Sequence, residues 1–120
     1  MNTYRISKEA VKSSSLNSSV LLSSVACDRN AVLESVSISS RGGITANASH
    51  YSKFQVKLGS DVLCERSFET ASLAALTSES LTVTDGDVSA TSALALHYVH
   101  NGNGLAIDLD VTLVFRAARA

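Results

Sequence analysis

Apolar and polar residues alternate most cleanly over residues 105–115, which read Leu-Ala-Ile-Asp-Leu-Asp-Val-Thr-Leu-Val-Phe. Leu105, Ile107, Leu109, Val111, Leu113 and Phe115 share one parity; Ala106, Asp108, Asp110, Thr112 and Val114 share the other. Successive side chains of a strand point to opposite faces, so this segment buries one face and wets the other. Aspartates at alternate positions would break a helical stripe, but they suit the solvent side of a strand.

The same period-two reading extends along the chain. Residues 20–26 form a strand ended by the turn-prone group 27–30, and residues 31–39 form the next, with Val32, Val36 and Ile38 on one face. Glu34 shares that parity, so the pattern requires either a bulge or an exposed strand end. Residues 41–50 make the longest irregular stretch of the body. Phe54, Val56 and Leu58 alternate with Gln55 and Lys57, and Gly59-Ser60-Asp61 turns that strand into residues 62–68 as a hairpin. Residues 71–80, where Leu73 and Leu76 stand three apart, read as a loop leading into a strand at 81–83. Asp85-Gly86 marks a turn, Leu94, Leu96 and Tyr98 another strand, and Asn101-Gly102-Asn103-Gly104 a tight hairpin into the 105–115 strand.

Seven or eight short strands with turns about every ten residues predict an all-β protein, a single-domain antiparallel β-sandwich, jelly roll or small barrel. Residues 20–120 are assigned to the sandwich. Residues 1–19 differ: Tyr4, Ile6 and Val11 mark a short strand with Arg5, Lys8 and Lys12 exposed, followed by serines at 13–15 and 18–19. This segment reads as an N-terminal arm that docks on a neighbour or as an edge strand.

Composition narrows the chemistry. The 120 residues carry a net charge of −1, and no basic stripe points to nucleic acid. No run approaches the ~20 apolar residues of a membrane span. Residues 16–27 mimic a signal peptide ending in cysteine, but Asn17, Ser18, Ser19 and Ser23 interrupt the apolar region, so no secretion signal is expected. Cys27 and Cys64, the two cysteines, are expected as free, semi-buried thiols of a reducing compartment rather than as a bridge.

No catalytic constellation emerges. His97 and His100, three apart on a strand, face opposite sides, and His50 has no fixed relation to them, so no metal site is expected. Asp108 and Asp110 share a face about 7 Å apart, a spacing open to glycoside hydrolysis or, with Asp85 and Asp87, to calcium; a solvated outer face accounts for them more simply. The chain lacks a Gly-x-Ser-x-Gly elbow, a phosphate loop and a dinucleotide fingerprint, so no enzyme activity and no cofactor are expected.

Residues 30–39, 54–63, 81–87 and the closing Asn-Gly turn into 105–115 together resemble the jelly-roll decoration, or cement, proteins of tailed-bacteriophage capsids. The resemblance covers about three quarters of the chain and rests on strand and turn chemistry; segment 1–19 carries none of its motifs. It implies a structural virion protein, made in the host cytoplasm, that binds the outer capsid surface as a homotrimer and stabilises the shell. Its partners would be the major capsid protein and itself, without nucleic acid or membrane. Tyr4, Arg5, Ile6 and Lys8 in the arm, with Arg116 and Arg119 in the tail, are the implied contacts. The alternative is a tail-fibre or receptor-binding sandwich module that reads host carbohydrate through His50, Tyr51, Tyr98 and His100.

Overall fold

The computed structural model describes residues 3–14, 18–27 and 29–117. These form nine strands: β1 (Thr3–Ser13), β2 (Val20–Ala26), β3 (Ala31–Ser39), β4 (Tyr51–Leu58), β5 (Asp61–Ser67), β6 (Glu79–Leu81), β7 (Asp87–Val88), β8 (Ala93–Asn101) and β9 (Ile107–Ala117). One sheet has the order β1-β9-β3-β6, with β7 also on β3; the other has the order β2-β8-β4-β5. All the strand pairs are antiparallel.

The pairing is nested. With β7 set aside, the first strand pairs with the last, the second with the one before it, the third with β6, and β4 with β5. This is a long hairpin wound around two sheets, the jelly-roll topology. Alternation explains why the sheets stack: each central strand has one apolar row to hide. Ile107, Leu109, Val111, Leu113 and Phe115 of β9 are all almost fully buried, as are Leu94, Leu96 and Tyr98 of β8 and Phe54 and Val56 of β4. The facing rows interdigitate into one continuous core.

β1 completes the first sheet. Its residues 3–8 run in unbroken register with residues 116 down to 111 of β9, which places Tyr4 opposite Phe115 and Ile6 opposite Leu113. The Tyr4 and Phe115 rings stack with centroids 5.1 Å apart. A bulge follows between Lys8 and Val11, with Ala10 at φ 53°, after which Val11 re-enters the core at 4% exposure.

Three details depart from the sequence expectation. The Asn101–Gly104 turn is not a hairpin, because β8 lies between β2 and β4 while β9 lies between β1 and β3. Asn-Gly chemistry supplies the reversal, but residues 104–106 lie outside both ladders and carry the chain from one sheet to the other, ~10 Å away. Second, Glu34 sits in a bulge of β3 between Leu33 and Ser35. The extra residue flips parity, so Ala31, Leu33, Val36 and Ile38 face inward and Val32 faces outward. The Gly86 carbonyl accepts the Leu33 N–H at 2.7 Å, and a Cβ on Gly86 would fall 2.2 Å from the Leu33 oxygen. Third, β6 is Glu79–Leu81, earlier than expected, because Leu81 pairs with Val36 and the chain then turns away.

Phe115 joins β1 to β9 and has no exposed surface. Phe115→Ala should lower the unfolding free energy by about 3–5 kcal/mol in urea titration, with the loss concentrated in β1 by hydrogen exchange.

Candidate functional site

Several side-chain hydrogen bonds gather at the corner between the sheets. The Ser52 hydroxyl donates to the Leu105 carbonyl and accepts the Leu105 N–H, both at 2.7 Å. The Tyr98 hydroxyl donates to the same carbonyl at 2.9 Å. Asn103 N–H donates to His50 Nδ1 at 2.9 Å, and His100 Nδ1 donates to the Gly102 carbonyl at 3.0 Å. Asn47 Oδ1 accepts the N–H groups of Ser49 and His50, both at 2.9 Å, which shapes the facing loop. Gly102 has φ +61°, and a Cβ there would lie 2.5 Å from His50 Nδ1.

The residues considered for carbohydrate contact therefore do gather here, but mostly in structural work. Tyr98 has no exposed surface and its hydroxyl is engaged. His50 and His100 hold the turn, and Tyr51 is half-buried opposite Asn101.

The residues predicted to contact a capsid or subunit divide by parity. Tyr4 and Ile6 face inward against the core, with the Arg29 guanidinium 5.1 Å from the Tyr4 ring centroid. Lys8 is half-buried opposite Val111 on the same inward row. Arg5 is exposed on the outer row, opposite Val114. Arg116 also lies outward, its Nε 3.7 Å from the Glu34 carboxylate. Arg119 lies outside the described residues. Arg5 and Arg116 are thus the members of this set presented on the outer face of the first sheet.

That face carries a row of small hydroxyls. Ser7, Thr112, Ser37 and Ser80 stand in register across β1, β9, β3 and β6. Asp108 and Asp110 flank the row on β9. Asp108 is in register with Lys12, and Asp110 accepts the Ala10 N–H at 3.0 Å and lies 3.5 Å from Arg41 Nε. Asp110 therefore secures the bulge of β1 and the loop after β3. Asp108 alone of the two lines a cavity of about 500 Å³, shared with Lys12, Ser13, Gly43, Ile44 and Ile107. A second cavity of about 380 Å³ is bordered by Asp61, Asp85 and Asp87. Among the described residues, no three His, Cys, Asp or Glu side chains are gathered closely enough to hold a metal ion.

On the other sheet, Leu21, His97, Gln55 and Glu65 form one outward row, with Leu21 58% exposed and Gln55 donating to Glu65 at 2.6 Å. His97 and His100 fall on opposite faces, as strand geometry requires. Burial, and secondarily the Lys57 charge, hold the His97 imidazole below its ordinary value.

Arg66 had no signal in the sequence beyond its inward parity. It is 9% exposed at the sandwich edge, where it pairs with Glu79, donates to the carbonyls of Ser67, Ala71 and Ser72, and lies 4.6 Å over the Phe68 ring. The guanidinium satisfies carbonyls of a loop that has no ladder of its own. Cys27 and Cys64 are both buried. Burial pushes the Cys64 thiol up to about 11, against a smaller opposing effect of a backbone hydrogen bond with Val56.

No family model matches the chain, and no curated protein is similar to it. Among solved structures, a chain from the structure of infectious bursal disease virus, Gx strain, is similar in fold, with a TM-score of 0.51 and 12% sequence identity. The likeness covers 97% of this chain and 32% of that one, so this chain spans about a third of that protein's length.

Two expectations follow. Ser52→Ala, which strips both bonds from Leu105, should cost about 1–3 kcal/mol in thermal or urea unfolding. Cys64, raised above the ordinary thiol value, contributes stability that is intact below pH 9 and lost as pH rises toward about 11; native protein should react slowly with a thiol reagent at pH 8 and fully once unfolded. The nested strand order and the solved-structure match agree on the fold, an antiparallel β-sandwich of jelly-roll topology.

Proposed function

We propose that the protein is a structural component of a virion that binds the outer surface of a capsid and stabilises the shell. The observation carrying this reading is the nested order of the two sheets, in a chain whose fold over 97% of its length is similar to that of a chain from a virus structure. The surface supports it. The outer face of the first sheet carries a row of small hydroxyls, with Arg5, Arg116 and Arg41 beside it, suited to lying against a flat protein surface. Partners under this reading are the major capsid protein and further copies of the chain, with the bacteriophage decoration role as its specific form.

A tail-fibre or receptor-binding module is the second reading, favoured by the exposed residues 47–50 and 101–103 meeting at one corner. Quantitative mass spectrometry of purified particles separates the two. A copy number comparable with the major capsid protein is the expected result. A few copies per particle would favour the fibre module, and absence from particles would remove both.

A further inference from the structure

A strand at a sheet margin presents unpaired N–H and C=O groups, and natural sheets shorten or disrupt such margins. Three of the four margins here are treated that way. β6 is only Glu79–Leu81; β2 is broken by a bulge after Leu21, leaving 23–26 regular; β5 is broken beyond Val62, leaving 64–67 regular. The margin of β1 carries a bulge too, after Lys8, but keeps a longer regular run: residues 3–8 hold one register with β9 and, among the described residues, no strand lies beyond them.

The side chains on this margin are self-complementary. About a twofold axis normal to the sheet, an antiparallel copy of β1 must set outward residues against outward ones and inward against inward ones. A register centred on Arg5 opposes two guanidinium groups and is disfavoured. The register centred on Ile6 sets Ile6 against Ile6, Tyr4 against Lys8, Arg5 against Ser7 and Thr3 against Glu9, with no like charges opposed. Tyr4 and Ile6 are already half-buried on the inward row, so pairing would bury their remaining exposed surface and extend the core from one copy into the next. Lys8, an inward charge that discourages indiscriminate pairing, is set in this register opposite Tyr4, whose ring already lies between Phe115 and the Arg29 guanidinium, 5.1 Å from its centroid.

We propose that the free margin of β1 pairs with the same strand of a second copy, antiparallel and centred on Ile6, to make a twofold dimer with a continuous sheet across it. This inference is independent of the virion reading and is tested on the purified chain in solution.

Sedimentation of the full chain over a wide concentration range should show a monomer–dimer equilibrium. Ser7 is exposed and outward, so changing it reads the register without disturbing the fold. Ser7→Arg opposes Arg5 of the other copy twice and should weaken the dimer about tenfold, while Ser7→Glu should tighten it by a similar factor. The double variant Arg5→Glu with Ser7→Arg, which again sets opposite charges against each other twice, should bind as tightly as Ser7→Glu. Thermal unfolding of each variant checks that folding is unchanged. As a second readout, Ile6→Cys should give a disulfide-linked dimer under mild oxidation. A wild-type chain that stays monomeric or forms a trimer, or a dimer indifferent to the sign of the charge at position 7, would overturn the proposal.

Discussion

The structure depends on one strand having a partner on each edge and a cover on one face. β9 is such a strand: β1 and β3 flank it, and the inward row from Ile107 to Phe115 is closed off by the second sheet. Its backbone is saturated by two ladders and its apolar row is dry, so it has no freedom to slip. A one-residue slip would turn Asp108 and Asp110 into the core and expose the row that fills it. Every other element of the first sheet takes its position from β9. β1 copies its register up to the bulge, β3 copies it on the other side, and β6 and β7 attach through β3.

The two sheets are then held at a fixed offset by the corner at Leu105. This residue belongs to neither ladder, yet both of its backbone groups are satisfied by side chains of the opposite sheet, Ser52 and Tyr98. Strands that change sheet leave backbone groups without ladder partners, and a buried unpaired group is costly. A serine with no exposed surface on β4 is otherwise hard to account for. At the edge of the sandwich Arg66 has a similar task, bonding to the Ser67 carbonyl at the end of β5 and to the Ala71 and Ser72 carbonyls of the loop beyond it.

Much of this was legible from alternation. The bounds of β2 and β3, the hairpin joining β4 to β5 and the burial of the β9 row follow from residues of matching parity and from Gly59, whose φ is +61°. Glu34 was legible as a conflict of parity, and the bulge resolved it. Neighbour relations were not legible, because alternation assigns faces and says nothing of which strand lies alongside. The Asn101–Gly104 segment shows the limit: its chemistry specifies a reversal of direction, which a hairpin and a crossing between sheets both need. The side of β1 on which Tyr4 and Ile6 fall was readable; their packing against Phe115 and Leu113 was not, since it depends on the last strand. Ser52 and Arg66 gave no local sign, because each answers a backbone need created by a distant part of the chain.

Nested pairing also sets the order in which the chain can acquire its structure. β4 and β5 meet across a two-residue loop, whereas Thr3 waits for Arg116. Each successive pair outward encloses a longer loop, and contacts of such high contact order slow folding. During synthesis β1 leaves the ribosome first, yet its partner is completed last, so Tyr4, Ile6 and Val11 remain uncovered while the intervening strands assemble. The first strand made is the last one able to find its place in the sheet.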